Sequence, residues 1–530
     1  DLVLKGQSKV PQKKYFQLQD ALEESDLPIK VDVLDWHRIT PEFRANIEKK
    51  YEVIMDAASF GSEWPIVTID EIKDNKKGSI AIGPFGSRMK SDCYVDNGVP
   101  VIRGTNITGG PTFGGNFVYI TEEKSKTLGS SNVFQYDLVF PHRGSIGEVG
   151  IILEDEHYVL SSSLMKLTCD RSKVNPKFLY YFFKSRLGRH ELLKNASQVG
   201  TPGIGQPLSS LKSIEFRLPP LDIQNQLEEI LTSLDNKIEL NRQTNQTLEQ
   251  IAQTIFKSWF VDFEPVKAKA QVRASVAQGK LPGSDQNTPL PKKNFNVEAA
   301  VERAAMCAIS GKSLEELEQL SLETQQQLKT TAALFPGALV ESELGEIPEG
   351  WEVGVIGDLF ELHRGFDLPK KDRKDGFYPV YAAGGYHGQH SVFKMEPPGI
   401  ITGRSGVIGN VYLSLTKYWP LNTTLYVRAF KRCGPYYAYF FLNMCDLKSI
   451  NSDSAVPSLN CNFVHSMNCL IPASSLLDAF DKFTNSNFIK IKSNDSEVEQ
   501  LSSLRDLLLP KLLSGGLVLG KRKDNEESVA

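Results

Sequence analysis

Along most of the chain the apolar residues fall in short alternating runs broken by Gly, Pro, Asn and Asp, a pattern that predicts β-strands joined by tight turns. These runs recur in order. Trp64-Pro-Ile-Val-Thr-Ile69-Asp-Glu-Ile72 returns as Trp351-Glu-Val-Gly-Val-Ile356-Gly-Asp-Leu359. Gly98-Val-Pro100-Val-Ile102 returns as Gly376-Phe-Tyr-Pro379-Val380-Tyr381, with one residue of slippage. Arg143-Gly-Ser-Ile-Gly147-Glu-Val149-Gly-Ile151 pairs with Arg404-Ser-Gly-Val-Ile-Gly409-Asn-Val411-Tyr-Leu413, and His157-Tyr-Val-Leu-Ser-Ser-Ser-Leu164 with Tyr418-Trp-Pro-Leu-Asn-Thr-Thr-Leu425. Each copy then has an aromatic block, 178–183 or 436–441, that reads as a short helix on a sheet, and closes on Pro219 or Pro472. The prediction is an internal repeat of mixed α/β domains, about 150–160 residues each.

After each copy the period changes. Over 222–260 the seam Leu227, Leu231, Leu234, Ile238, Asn241, Asn245, Leu248, Ala252, Ile255 and Trp259 advances in alternating steps of four and three, a heptad, and Glu264-Pro265 is expected to end it. A second helix is predicted over 474–513. Carrying the seam forward by the spacing between the closing prolines gives Phe480, Thr484, Asn487, Ile491, Asn494, Val498, Leu501, Arg505, Leu508 and Leu512, a weaker stripe. Asn241 maps onto Asn494, and Asn at a seam position costs stability while fixing register. Neither stripe can be buried alone, so the two helices are expected to pack on each other.

Composition narrows the classes. With 530 residues, 41% of them hydrophobic and 23% charged, the chain reads as a globular protein of several domains, without a membrane-spanning run or a secretory layout at Asp1-Leu2-Val3-Leu4-Lys5. Lacking an initiator Met, it is expected to start inside a longer reading frame. The 7 Cys are dispersed, with no C-x-x-C pair, and read as reduced structural thiols of a cytoplasmic protein. A net charge of −4 argues mildly against a nucleic-acid binder, although a locally basic surface would suffice. His142 and Cys169 lie within the first copy, but spacing supplies neither a base nor an orienting partner, so no catalytic residue and no metal site is expected.

The order domain, helix, domain, helix resembles the specificity subunit of type I restriction-modification systems. The resemblance rests on Leu218-Pro-Pro-Leu-Asp-Ile-Gln-Asn-Gln226, Leu234-Asp-Asn-Lys-Ile-Glu-Leu-Asn-Arg242, Ile255-Phe-Lys-Ser-Trp-Phe-Val-Asp-Phe263, Glu343-Leu-Gly-Glu-Ile-Pro-Glu-Gly-Trp351 and Leu509-Pro-Lys-Leu-Leu-Ser-Gly515. It implies a mixed α/β fold class: two tandem target recognition domains separated by two long helices packing as an antiparallel coiled coil. It further implies a non-catalytic subunit for phage defence that reads a bipartite double-stranded DNA target, holds methyltransferase (M) subunits, and is joined by ATP-driven endonuclease (R) subunits. No cofactor belongs to this chain on that reading; S-adenosylmethionine, ATP and Mg would serve the partners.

The expected divisions are 59–220 and 343–472 for the recognition domains, 221–265 and 473–515 for the spacer helices, 266–342 for a helical insertion, and 516–530 for a polar tail. Base reading needs Arg, Lys, Asn or Gln in a groove. The candidates are Arg88, Lys90, Arg103, Asn106 and Arg143 in copy one, and Arg364, Lys370, Arg373, Lys374 and Arg404 in copy two. Arg143 and Arg404 stand out because both sit beside Gly and Ser in the same block. Asn241 and Asn494 are the candidate register residues.

Two segments lie outside the repeat. Within the insertion, 280–289 reads as a loop, and 297–309 and 313–333 as helices, with Ser313-x-x-Glu316 as a capping box. In 1–58, a helix over 15–24, a strand over 29–36 and a helix over 41–53 behind Thr40 are predicted. This stretch is similar to the C-terminal half of a minimal nucleotidyltransferase of the polymerase-beta superfamily. On that resemblance Asp1 and Asp32 are the second and third carboxylates. The Gly-Ser phosphate loop and first Asp would precede residue 1, so the stretch is expected to be inactive. Two alternatives therefore stand beside the specificity subunit: a nucleotidyltransferase fusion with appended binding domains, and a structural adaptor whose repeats bind protein.

Overall fold

A computed structural model of the chain describes residues 2–4, 33–35, 39, 40, 44, 64–197, 202–282, 295–450 and 458–513. The chain divides into two compact units, Asp1–Leu240 with Glu497–Ala530, and Asn241–Ser496.

In the first unit a four-stranded antiparallel sheet runs in the order Gly150–Ile151, Leu138–Pro141, Leu164–Leu167, Ile80–Ile82. A second, five-stranded sheet contains one parallel pair, Val99–Ile102 with Tyr158–Leu160. Ile66–Thr68 pairs antiparallel with Glu215–Arg217 and leads into the helical turn Ile69–Ile72. The aromatic block forms the helix Pro176–Lys184, started by Pro176 and N-capped by Asn175. Its Phe178 and Phe183 are fully buried, and Phe183 meets Phe140 of the sheet edge-on at 4.9 Å.

The second unit repeats this topology. Its four-stranded sheet runs Val411–Ser414, Gly399–Gly403, Thr424–Phe430, Phe360–Arg364. Tyr378–Ala382 pairs parallel with Trp419–Pro420, and Glu352–Val355 pairs antiparallel with Asn468–Ile471 before the turn Ile356–Leu359. Pro100 and Pro379 occupy equivalent places one residue before the parallel pairings Val101↔Val159 and Val380↔Trp419, so the expected slippage is confined to the preceding glycine.

The long helices are Leu221–Phe260 and Ser474–Leu513, 40 residues each. In the first unit Leu227 and Leu231 share a core with Leu509 and Leu512, Asp235 meets Arg505, and Lys237 meets Glu497. In the second, Asn245 meets Asn494, and Ala252, Phe256 and Trp259 share a core with Phe480, Phe488 and Ile491. Within each unit, numbers rising on one helix meet numbers falling on the other, so the pairing is antiparallel. The second seam is weak by composition but not unpaired: Arg505 places its guanidinium 2.8 Å from Asp235.

Pro265 begins a helix as well as following one. Phe263 adopts a left-handed conformation that breaks the path, and Pro265 sits in the first turn of Glu264–Ala277, where its missing N–H is harmless. The insertion continues with Val297–Ser310, Leu314–Glu318 and Leu322–Ala333. The capping box is formed, with Ser313 N–H donating to Glu316 at 2.8 Å. The single helix expected over 313–333 is interrupted, because Ser321 caps a new N-terminus. Lys269 is buried and donates to the carbonyls of Ala332 and Phe335, both at 2.7 Å, satisfying the C-terminal end of the last helix.

Near the N-terminus Leu2–Leu4 pairs parallel with Val33–Asp35, and Arg44 N–H donates to Thr40 O. Asp1, Asp32, the helix expected over 15–24 and residues 283–289 of the expected loop lie outside the described residues. No helix among the described residues is long and apolar enough to cross a membrane.

Candidate nucleic-acid interface

In each copy several strand ends converge on one turn. In the first, Ser161 N–H donates to Ile102 O at 2.9 Å, Gly83 N–H to Leu164 O at 2.9 Å, and His142 N–H to Ser163 O at 2.9 Å. In the second, Leu421 N–H donates to Tyr381 O at 2.8 Å, Gly365 N–H to Thr424 O at 3.0 Å, and Arg404 N–H to Thr423 O at 2.8 Å. The approach demands glycine: a Cβ on Gly83 would lie 1.9 Å from Ser161 O, and one on Gly365 2.2 Å from Leu421 O. Three loops leave this hub in each copy, after Ile80–Ile82, Val99–Ile102 and Leu138–Pro141, and after their counterparts Phe360–Arg364, Tyr378–Ala382 and Gly399–Gly403.

The sequence-selected residues sort themselves around these hubs. Arg88 and Lys90 lie exposed on the first loop of copy one, and Arg143 exposed on its third. Lys370 and Lys374 lie exposed on the first loop of copy two. None of these five side chains has an ion-pair or hydrogen-bond partner among the described residues. The others are engaged. Arg103 Nη2 donates to Asn116 O at 2.7 Å, Arg373 Nη1 to His387 O at 3.2 Å, and Arg364 lies 3.6 Å from Asp367.

Asn106 is 1% exposed. Its amide donates to Gly114 O at 2.9 Å and Asn116 O at 3.2 Å, and its carbonyl accepts Arg103 N–H at 2.9 Å. It shapes the second loop from inside and presents nothing outward. Copy two replaces that long loop with the tight hairpin joining Ala382 to Gly385, so the two hubs carry differently shaped surroundings.

Arg143 and Arg404 are not equivalent, contrary to the sequence pairing. Residue 142 holds the backbone place of residue 404: each donates N–H into the hub turn, and each carbonyl accepts from the returning segment, Ile204 N–H at 2.9 Å or Leu459 N–H at 2.8 Å. Arg143 corresponds to Ser405, since these two form the isolated bridges to Gly203 and Ser458. Gly144 and Gly406 follow, at φ +80° and +89°. The ungapped match of Gly144-Ser-Ile-Gly147 with Gly406-Val-Ile-Gly409 carried this register; matching the arginines obscured it.

His142 is 4% exposed, and its Nε2 lies 3.0 Å from Ser162 O. Burial holds its imidazole below the ordinary histidine range. No cluster of metal-ligating side chains occurs among the described residues.

A module that occurs twice, each time with loops leaving a glycine-dependent hub and exposed cations on those loops, defines a tandem recognition protein. The chain belongs to the type I restriction-modification DNA specificity family, whose domain description matches residues 61–250 and 348–500. It is 31% identical over 399 residues to the HindI specificity subunit of Haemophilus influenzae, covering 68% of this chain and 81% of that one. It is 22% identical over 371 residues to the MjaIX specificity subunit of Methanocaldococcus jannaschii, covering 64% and 69%. A crystal structure of the S subunit of a type I system from M. genitalium aligns over 89% of this chain and 99% of its own, with 17% identity and a TM-score of 0.47. The chain is thus the DNA-recognition, non-catalytic subunit of such a system.

Proposed function

We propose that each copy reads one half of a bipartite double-stranded DNA target through the loops leaving its hub. Arg88, Lys90 and Arg143 serve the first half, and Lys370 and Lys374 the second. The observation that carries this reading is the pairing of one repeated hub with unpartnered cations in a chain whose net charge is −4. Arg103, Arg364, Arg373 and Asn106 build the loops, and those of them that keep free N–H groups add contacts. The 40-residue helices, about 60 Å of rod each, serve as the spacer between half-sites. Asn241 and Asn494 hold their register. M subunits bind this frame and R subunits join them in the cytoplasm, bringing S-adenosylmethionine, ATP and Mg.

The test is to map methylated adenines in genomes with and without this chain and its partner subunits. The mapping is then repeated with residues 60–215 exchanged for those of another family member. One half of the target should change and the other persist. A change in both halves, or in neither, overturns the reading.

A further inference from the structure

The two hubs are closed by different side chains doing the same job. In copy one His142 directs Nε2 to Ser162 O at 3.0 Å; in copy two Arg404 directs Nη1 to Asn422 O at 2.9 Å. Ser162 and Asn422 are the middle residues of the equivalent hub turns, each one residue before the carbonyl that accepts the backbone N–H of residue 142 or 404. We propose that His142 and Arg404 are interchangeable positioning residues. Each locks the hub turn of its own copy and thereby aims the recognition loops of one half-site.

The geometry supports an aiming role over direct contact. Each residue is pinned three ways, by its N–H, its carbonyl and its side chain, and the pinned residue is the last before the third loop departs. The two residues after it are the bridged Arg143 or Ser405 and the left-handed Gly144 or Gly406, so its orientation is passed directly into the loop. His142 is 4% exposed and cannot touch a ligand outside the hub. What it shares with the half-buried Arg404 is the planar N–H donor and the carbonyl it meets. Left without its donor, this part-buried carbonyl would turn toward water or another partner, and the turn also holds Gly83 and Ile102, or Gly365 and Tyr381. One donor therefore governs where all three loops begin.

This inference rests on the loops being the DNA-reading surface, and its test separates the two. The assembled methyltransferase complex is titrated with duplexes carrying the target mapped by methylation, and with duplexes substituted in either half. For His142→Ala, discrimination at the first half-site should fall about tenfold while the second is unchanged; Arg404→Ala should do the reverse. His142→Arg and Arg404→His should each restore discrimination to within about threefold of the parent, with an unaltered salt slope. Thermal unfolding checks folding. Should His142→Ala not fold, His142→Gln, which keeps an N–H donor, and the Arg404 pair carry the test.

Loss in Arg404→His equal to that in Arg404→Ala, with a shallower salt slope, would make Arg404 a direct phosphate contact and overturn the lock. If alanine at Arg88, Lys90, Lys370 and Lys374 weakens binding while both lock variants behave as the parent, the lock alone fails. If none of these changes alters binding, the loops are not the reading surface and both inferences fall.

Discussion

Arg505 and Asp235 face each other across the paired helices at 2.8 Å, and Asp235 also accepts the Tyr181 hydroxyl at 2.9 Å. A seam position that should be apolar thus carries a charge whose partner is oriented by the first recognition domain. The side chain of Asp235 is 10% exposed and that of Arg505 28%, so the pair lies between the buried and surface regimes. Arg505→Leu should destabilise the first unit by about 1–3 kcal/mol, because it strands a carboxylate that Tyr181 only partly satisfies. The double variant Asp235→Leu with Arg505→Leu should recover most of that loss by completing the apolar seam. Denaturant midpoints of the four proteins measure both; equal loss in single and double variants would show that the charge was not the cost.

Arg143 is exposed, and among the described residues it is tied into the fold only through its backbone bridge to Gly203. Arg143→Ala should therefore leave the unfolding free energy within about 0.5 kcal/mol of the parent. It should weaken DNA binding by the methyltransferase complex. A phosphate contact would lower the log K against log salt slope by about 1, uniformly across sequences; a base contact would relax one position of the first half-site by about 1–3 kcal/mol. Unchanged affinity would remove Arg143 from the interface.

The contrast between Arg143 and Arg404 shows what the sequence could and could not yield. Heptad seams were legible because Leu227, Leu231, Phe480 and Ile491 must be hidden along one stripe, and all are buried. The repeat was legible because Trp64/Trp351, Pro100/Pro379 and Gly147/Gly409 keep strand and turn chemistry at matching places. Charge was a poor guide to register: Arg143 aligned with Arg404 by type, whereas the backbone pairs His142 with Arg404. Asn106 looked like a base reader because composition does not reveal burial; its three bonds to the loop are tertiary facts. In the sequence Pro265 reads only as an end, since the left-handed Phe263 that permits an immediate restart has no local signature. Phe256 sits one step off the regular seam yet meets Tyr437, Phe440 and Phe480, because the core of the second domain reaches around the helix.

Asp481 gives the second domain a pH dependence. It accepts Tyr437 N–H at 2.8 Å, capping the helix Pro435–Met444 from outside. Gly434 at the N-cap leaves it room, since a Cβ there would lie 1.3 Å from its Oδ2. Burial pushes its carboxyl up from 3.8 to about 6, against the lowering effect of the Tyr437 N–H. A folded value above the unfolded one means that the protonated form is favoured by folding. The associated stability is fully present below about pH 3.8 and is lost as pH rises through about 6. Asp481→Asn keeps an acceptor and removes the charge. The variant should gain about 2–3 kcal/mol relative to the parent between pH 4 and pH 8. Parallel stability profiles for the two proteins over that range would place the titration elsewhere.

The polar layer in the second unit tests whether seam asparagines hold register. Asn494 is 1% exposed; its Nδ2 donates to Asn245 Oδ1 at 2.8 Å, while Asn245 Nδ2 donates to Asp495 Oδ1 at 2.7 Å. An amide pair between two helices satisfies both partners only at one axial offset, whereas leucine packs nearly as well after a slip of a heptad. Asn494→Leu together with Asn245→Leu should therefore hold or raise the unfolding midpoint, since the buried amide no longer has to be desolvated. The same change should broaden the distance distribution between spin labels placed on the exposed positions Gln250 and Lys490 relative to the parent, whose distribution is expected to be narrow. If the double variant is destabilised by about 2 kcal/mol or more and its distance distribution stays narrow, the layer contributes binding energy and the register is held by the flanking aromatic core of Phe256, Phe480 and Phe488.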